Sequence, residues 1–211
     1  MTSTIAEDSV ATGGHVDIID DDEAICKSLA ELLTFAGYQV RTWTSAEVFL
    51  NNLPQAAPAV IITDMRMNGM TGVEMHETLK TMGRTIPVIY MSGESSVPQS
   101  VKAMKLGAVD FLSKPFTREN ILEAVIAGLE KDRVQLRELI EQRRLVEASK
   151  SLAPREREVM KLLMKGFSNS EIVEALGISL PTAKQYKTQI MQKLGVRSLS
   201  QLMQFGKIDH Q

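Results

Sequence analysis

The stretch HVDIIDDDE, residues 15–23, runs from a β-branched strand pattern straight into three consecutive carboxylates, Asp20, Asp21 and Asp22. Neighbouring carboxylates repel one another, and ionising all three needs a cation or water to relieve the repulsion. Asp22 and Glu23 have an ordinary use at the start of a helix, where negative charge suits the positive end of the dipole. That leaves Asp20 and Asp21 unexplained, at a point where a strand gives way to a helix.

The same strand-to-helix step recurs along the chain. Apolar runs at HVDII (15–19), YQVRTW (38–43), AVIIT (59–63), IPVIYM (86–91) and AVDFL (108–112) alternate with helical periodicity near 23–36, 45–52, 72–82 and 97–106. Gly37 and Gly107 stand as C-terminal helix stops. This alternation predicts an α/β fold: a parallel sheet covered on both faces, with ligands expected beyond the carboxyl ends of its strands.

At 211 residues and 44% hydrophobic content the chain has room for one large domain or two smaller ones. Its one cysteine, Cys26, excludes an intrachain disulfide, and no apolar run approaches the roughly 18 residues of a membrane span. A soluble protein of a reducing compartment, the cytoplasm, is expected, with no membrane partner. The opening MTSTIAEDSVATGG has neither the basic flank nor the apolar core of a secretory signal, so residues 1–14 read as a disordered leader and no export is implied. Charge is unevenly placed: residues 1–150 carry 15 basic and 21 acidic side chains, net −6, while residues 151–211 carry 9 and 5, net +4.

The expected organisation is therefore an α/β domain over residues 15–128, a helical linker over 129–150 and an all-helical domain over 151–211. In the linker region Leu122, Leu129 and Leu136 recur every seven residues, with Ile126 and Ile140 at the matching offset and Arg133, Arg143 and Glu147 interrupting. Such a seam predicts a dimerising coiled coil; a solvated spacer helix is the plainer alternative. Beyond it, four helices are expected: PREREVMKLLMK before Gly166, a segment opened by the capping box SNSE (168–171), ISLPTAKQYKTQIMQKL after Gly177, and a last one opened by SLSQ (198–201).

The polar residues that follow successive strands make a chemical set. Asp20 and Asp21 follow the first, Asp64 the third, Ser92 the fourth and Lys114 the fifth. Carboxylates with a backbone carbonyl suit a hard cation such as Mg²⁺, which takes oxygen ligands and keeps several waters. The balance of charge suits phosphoryl transfer, in which positioning and charge neutralisation do most of the work. Asp64 would be the nucleophile, with Lys114 and the Ser92 hydroxyl holding phosphoryl oxygens. Each residue alone has a plain explanation, as a surface charge, a turn residue or a helix-approach acid; their arrival at successive strand ends does not.

IIDDDE, IITDMRMNGMTGVE, IYMSGE and GAVDFLSKPF together resemble the receiver domain of two-component response regulators, most closely the FixJ-like type of the NarL/LuxR class. The resemblance covers residues 15 to about 128 and implies a flavodoxin-like five-stranded parallel sheet. It implies that Asp64 accepts phosphate from a histidine kinase, that Asp21, Asp64 and the carbonyl of Arg66 bind Mg²⁺, and that Asp20 assists through water. It makes Ser92 and Phe111 the switch pair and Lys114 the phosphate-binding lysine. Asn68 departs from the family, which usually has Pro there, and a looser loop is expected because Asn does not fix φ.

The segment LAPREREVMKLLMKGFSNSEIVEALGISLPTAKQYKTQIMQKLGVRSLSQL resembles the LuxR-type helix-turn-helix. That likeness puts Lys184, Gln185 and Thr188 where the family reads base edges of double-stranded DNA, and Lys187 and Lys193 where it grips the backbone. Gln185 can pair bidentately with adenine, and lysines supply the phosphate attraction on which affinity largely rests. Ile190, Met191 and Leu194 read as core. Ala153 stands where a capping Thr or Ser is usual, at a cost of about 1 kcal/mol, and Tyr186 where His is common.

The expected protein is a phosphorylation-controlled transcription factor, a regulator and not an enzyme, acting as a homodimer when phosphorylated. A haloacid-dehalogenase-like phosphatase is the main competitor, but such enzymes carry Asp-x-Asp on one strand, and position 66 here is Arg. A phosphate-independent dimerisation module is a second alternative, opposed by the full set Asp20, Asp21, Asp64, Ser92 and Lys114. Neither common glycine-rich nucleotide loop occurs, so ATP binding is not expected.

Overall fold

The computed structural model describes residues 13–83, 85–93 and 97–208. Strands β1 (His15–Ile19), β2 (Gln39–Trp43), β3 (Ala59–Asp64), β4 (Val88–Ser92) and β5 (Asp110–Ser113) form one parallel sheet in the order β2-β1-β3-β4-β5. Helices α1 (Glu23–Phe35), α2 (Ala46–Asn51), α3 (Gly72–Thr81) and α4 (Val97–Leu106) alternate with them, and α5 (Arg118–Ser149) follows.

The central strand β3 is buried at every position, as a strand covered on both faces must be. Its side chains divide with the period of two that the pleat imposes. Val60 and Ile62 join Val16, Ile18, Ile89 and Met91 on the face covered by α1 and α5. Ile61 joins Ile19, Val88 and Tyr90 on the other, against Phe49 of α2, Met75 and Leu79 of α3 and Ala103 of α4. Each such aliphatic side chain contributes about 1.5–3 kcal/mol by leaving water. The connection from β1 through α1 leads to β2 on one side, and the connection from β2 through α2 returns past β1 to β3 on the other, so the carboxyl ends of β1 and β3 frame the crevice where this fold binds ligands.

The first turns of α5 complete the core. Ile121, Ala124, Val125 and Leu129 lie on the sheet, and Asp132 accepts the Ala59 N–H at 2.7 Å, satisfying the first donor of β3. A Cβ on Gly128 would stand 2.5 Å from Val60 Cγ2, so this closeness of helix and strand requires glycine.

Two sequence expectations change here. Leu129 is 1% exposed and Leu122 packs against the same core, whereas Ile126 and Ile140 are 50% and 65% exposed. The five predicted seam residues therefore do not share one free face, because the sheet has already taken the Leu129 side of the helix. The expectation that Gly14 belongs to a disordered leader also changes. Residues 1–12 lie outside the described residues, but Gly14 is buried against Leu129 and accepts the Gln39 N–H at 3.0 Å.

The chain divides into two compact units between Leu136 and Arg137, within α5. In the second unit Leu145 of α5 enters a separate core with Val159, Met160, Leu163, Ile172, Ala183, Ile190 and Leu194. These belong to α6 (Pro154–Met164), α7 (Asn169–Leu176) and α8 (Leu180–Leu194), followed by α9 (Leu199–Ile208). Gly177 ends α7 in the left-handed conformation, φ 61°, and Ser179 caps α8 by accepting the Thr182 N–H at 3.3 Å. Ala153 offers α6 no side-chain cap; only the return bond, Ala153 N–H to Glu156 Oε2 at 2.7 Å, is made.

Candidate functional site

Asp20 follows β1 directly, Asp64 ends β3 and Lys114 follows β5, so a parallel sheet delivers all three to one edge. Lys114 Nζ donates to Asp64 Oδ1 at 2.6 Å and to Asp20 Oδ2 at 3.0 Å. The two carboxylates are nearly closed to solvent, Asp20 2% and Asp64 8% exposed. Charges so placed act through less water than at a surface and interact more strongly.

The three consecutive acids of the opening stretch each have a separate partner, which is how they coexist. Asp20 binds Lys114 and, through Oδ1, the Asp22 N–H at 2.9 Å. Asp22 caps α1, accepting from Ala24 N and Ile25 N at 2.8 and 3.3 Å. Asp21 is exposed and accepts from Asn68, by its backbone N–H at 3.0 Å and its side-chain Nδ2 at 2.7 Å. The expectation of a looser loop at Asn68 is therefore corrected: a residue able to donate twice ties the loop down.

Burial pushes the Asp20 carboxyl above its ordinary value, against the lowering effects of the Asp22 N–H and of Lys114. Burial pulls the Lys114 ammonium down, but its bonds to Asp64 and Asp20 outweigh that and hold it above its usual value. Ser92 is buried at the end of β4, one residue beyond Met91, the register partner of Asp64. Phe111 pairs in register with Tyr90 and is half-buried against the α2, α3 and α4 side. Asp64 Oδ2 accepts the Arg66 N–H at 2.6 Å, which folds the chain after β3 back over the carboxylate.

The donors at this edge are hard oxygens: Asp21, Asp64 and the Arg66 carbonyl. Among the described residues no three His, Cys, Asp or Glu side chains close around a point as a metal cage. Both oxygens of Asp20 accept hydrogen bonds, from the Asp22 N–H and from Lys114.

In the second unit Lys184, Gln185 and Thr188 are exposed on α8, and Lys187 is half-exposed. Lys193 differs. Its ammonium donates to both oxygens of Glu156, at 2.7 and 2.6 Å, and Glu156 is 3% exposed. The Lys193 bond and the Ala153 N–H hold the Glu156 carboxyl below its usual value. The resemblance puts Lys193 at the DNA backbone; in the structure its ammonium joins α8 to α6, with 42% of the side chain exposed. Sequence reasoning missed this pair, and it missed Asn68 as a partner of Asp21.

The described helices include none long and apolar enough to cross a membrane. The response regulator receiver domain family matches residues 16–126, and the luxR family of bacterial regulatory proteins matches residues 150–205. The response regulator protein TodT of Pseudomonas putida is 38% identical over 186 residues, covering 88% of this chain and 82% of TodT. The transcriptional regulatory protein FixJ of Bradyrhizobium diazoefficiens is 35% identical over 197 residues, 93% of this chain and 96% of FixJ. The solved structure of the response regulator StyR aligns with a TM-score of 0.71 at 35% identity, over 92% of this chain and 98% of StyR.

Proposed function

Because the chain belongs to the family of transcriptional response regulators that join a receiver domain to a LuxR-type DNA-binding domain, we propose that Asp64 is its phosphoacceptor, that a histidine kinase is the donor, and that phosphorylation drives two chains together on DNA. The observation that carries this reading is Lys114 placed between Asp64 and Asp20 at the sheet edge. An ammonium there neutralises the resting carboxylates and is within reach of a phosphoryl group once Asp64 carries one.

Asp64 attacks phosphorus through a carboxylate oxygen, the bond to the kinase histidine breaks, and the imidazole nitrogen keeps the electron pair. Asp21, Asp64 and the Arg66 carbonyl would hold Mg²⁺, whose charge would offset repulsion between the Asp64 carboxylate and the incoming phosphate. Lys114 then turns from Asp64 to a phosphoryl oxygen, and Ser92 donates its hydroxyl to another. With Ser92 drawn inward, Phe111 follows, and the surface of α4 and β5 becomes a pairing surface. Ile126, Leu136 and Ile140 extend that contact along α5, without Leu129. The chain acts as a regulator and not as an enzyme, in the cytoplasm where its kinase and DNA meet.

On DNA, Lys184, Gln185 and Thr188 read base edges in the major groove and Lys187 contacts phosphate. One +4 segment makes few phosphate contacts and binds weakly and salt-dependently, whereas two joined segments gain effective concentration. The test is phosphate-dependent affinity for an inverted repeat compared with a single half-site. A phosphodonor with Mg²⁺ is expected to tighten the inverted repeat far more than the half-site. Equal tightening on both would remove the dimer mechanism.

A further inference from the structure

We propose that Asn68 is a positioning residue that sets Asp21 for cation binding; the proposal rests on the acidic edge being the phosphoacceptor site. Asn68 lies in the loop between β3 and α3, and its backbone N–H and Nδ2 both donate to one oxygen, Asp21 Oδ2, at 3.0 and 2.7 Å. Asp21 Oδ1 accepts no hydrogen bond from the described residues. An exposed aspartate without such donors rotates among its rotamers, and ordering it on binding costs free energy. Two donors on one oxygen fix the carboxylate and leave the other oxygen, with the charge intact, for a hard cation.

The loop is held at two further points. Arg66 N–H binds Asp64 Oδ2 at 2.6 Å, and Met70 N–H binds Glu47 Oε1 at 2.8 Å. The Arg66 carbonyl thus lies on a segment fixed by Asp64 before Asn68 and by Glu47 after it. A proline at position 68 has neither an N–H nor an amide and makes neither bond to Asp21. Groups that orient a metal ligand from behind are worth about 10- to 100-fold in affinity.

The experiment titrates the whole, unphosphorylated, metal-free chain with MgCl₂ by calorimetry and with Mn²⁺ by the electron paramagnetic resonance of the free ion. Asn68→Ala, which loses one donor, is expected to bind about 10-fold more weakly, and Asn68→Pro, which loses both, toward 100-fold more weakly. Asn68→Gln keeps both donors and is expected to recover most of the affinity. Urea midpoints read from Trp43 fluorescence should be equal for wild type, Asn68→Ala and Asn68→Gln. Asp21→Asn serves as the control and should lose binding. If Asp21→Asn binds like wild type, the acidic-site reading itself is wrong. If Asp21→Asn loses binding while Asn68→Ala and Asn68→Pro bind as tightly as wild type or tighter, or if Asn68→Gln recovers nothing, the positioning role of Asn68 alone is overturned.

Discussion

Replacing Lys114 by Met keeps most of the side chain's length and removes its charge. In the unphosphorylated protein this strips Asp20 and Asp64, 2% and 8% exposed, of the ammonium that stands 3.0 and 2.6 Å away. Removing one partner of a buried ion pair costs about 3–5 kcal/mol. Lys114 keeps 22% of its side chain in water, which puts the expected loss near the lower bound, about 3 kcal/mol. With a urea m-value of about 2 kcal/mol/M, the unfolding midpoint should fall by about 1.5 M at neutral pH in EDTA. Trp43, the one tryptophan, lies on β2, so its fluorescence follows the receiver alone.

The pH dependence has a definite sign. A carboxyl whose folded value is raised, as Asp20's is by burial, stabilises fully below its unfolded value and loses that contribution as pH rises through the folded value. Losing Lys114 raises Asp20 further, so the deficit of the variant should shrink as pH falls toward about 4. Mg²⁺ at about 100 times its Kd should return up to roughly 2.7 kcal/mol. A Lys114→Met protein as stable as wild type at neutral pH in EDTA would refute the reasoning.

Leu129→Ala should destabilise the receiver by about 2–5 kcal/mol in urea, as a fully buried leucine does, whereas Ile140→Asp should leave its midpoint unchanged and weaken self-association in sedimentation. Lys193→Ala should lower the stability of the DNA-binding unit by about 1–3 kcal/mol, because it leaves the buried Glu156 carboxylate short of a donor; Lys184→Ala should leave stability unchanged, weaken DNA binding and relax its sequence preference, whereas Lys187→Ala should weaken binding to all sequences alike with a shallower salt dependence. Burial holds His76, bonded to Tyr90 OH at 2.9 Å, down at about 4. Its lowered folded value stabilises above the unfolded 6.5 and that stability is lost as pH falls toward 4. The advantage of wild type over His76→Gln should therefore shrink across that window in chemical denaturation.

The acidic edge was legible because a parallel sheet brings every strand's carboxyl end to one side, so knowing where β1, β3 and β5 stop places Asp20, Asp64 and Lys114 together. Strand starts were less so. IPVIYM suggested a strand from Ile86, but pairing begins at Val88, since Pro87 contributes only its carbonyl, which accepts the Ile61 N–H at 2.9 Å. Leu129 misled because core and coiled-coil periodicities coincide over two turns, and sequence spacing does not say which surface takes the stripe. Lys193 counted as one more basic side chain because its partner, Glu156, is 37 residues away in the chain and buried by the packing of α6 on α8. Asn68 read as a turn former for the same reason: the carboxylate it binds is 47 residues away.

The central claim is that one carboxylate at the end of β3 receives phosphate. Incubation of wild type, Asp64→Asn and Asp20→Asn with a small-molecule phosphodonor and Mg²⁺, followed by intact mass and peptide mapping, tests it most directly. Wild type should gain one phosphoryl group on the peptide containing Asp64, and Asp64→Asn should gain none; a phosphoryl group appearing in equal yield on Asp64→Asn would contradict the account.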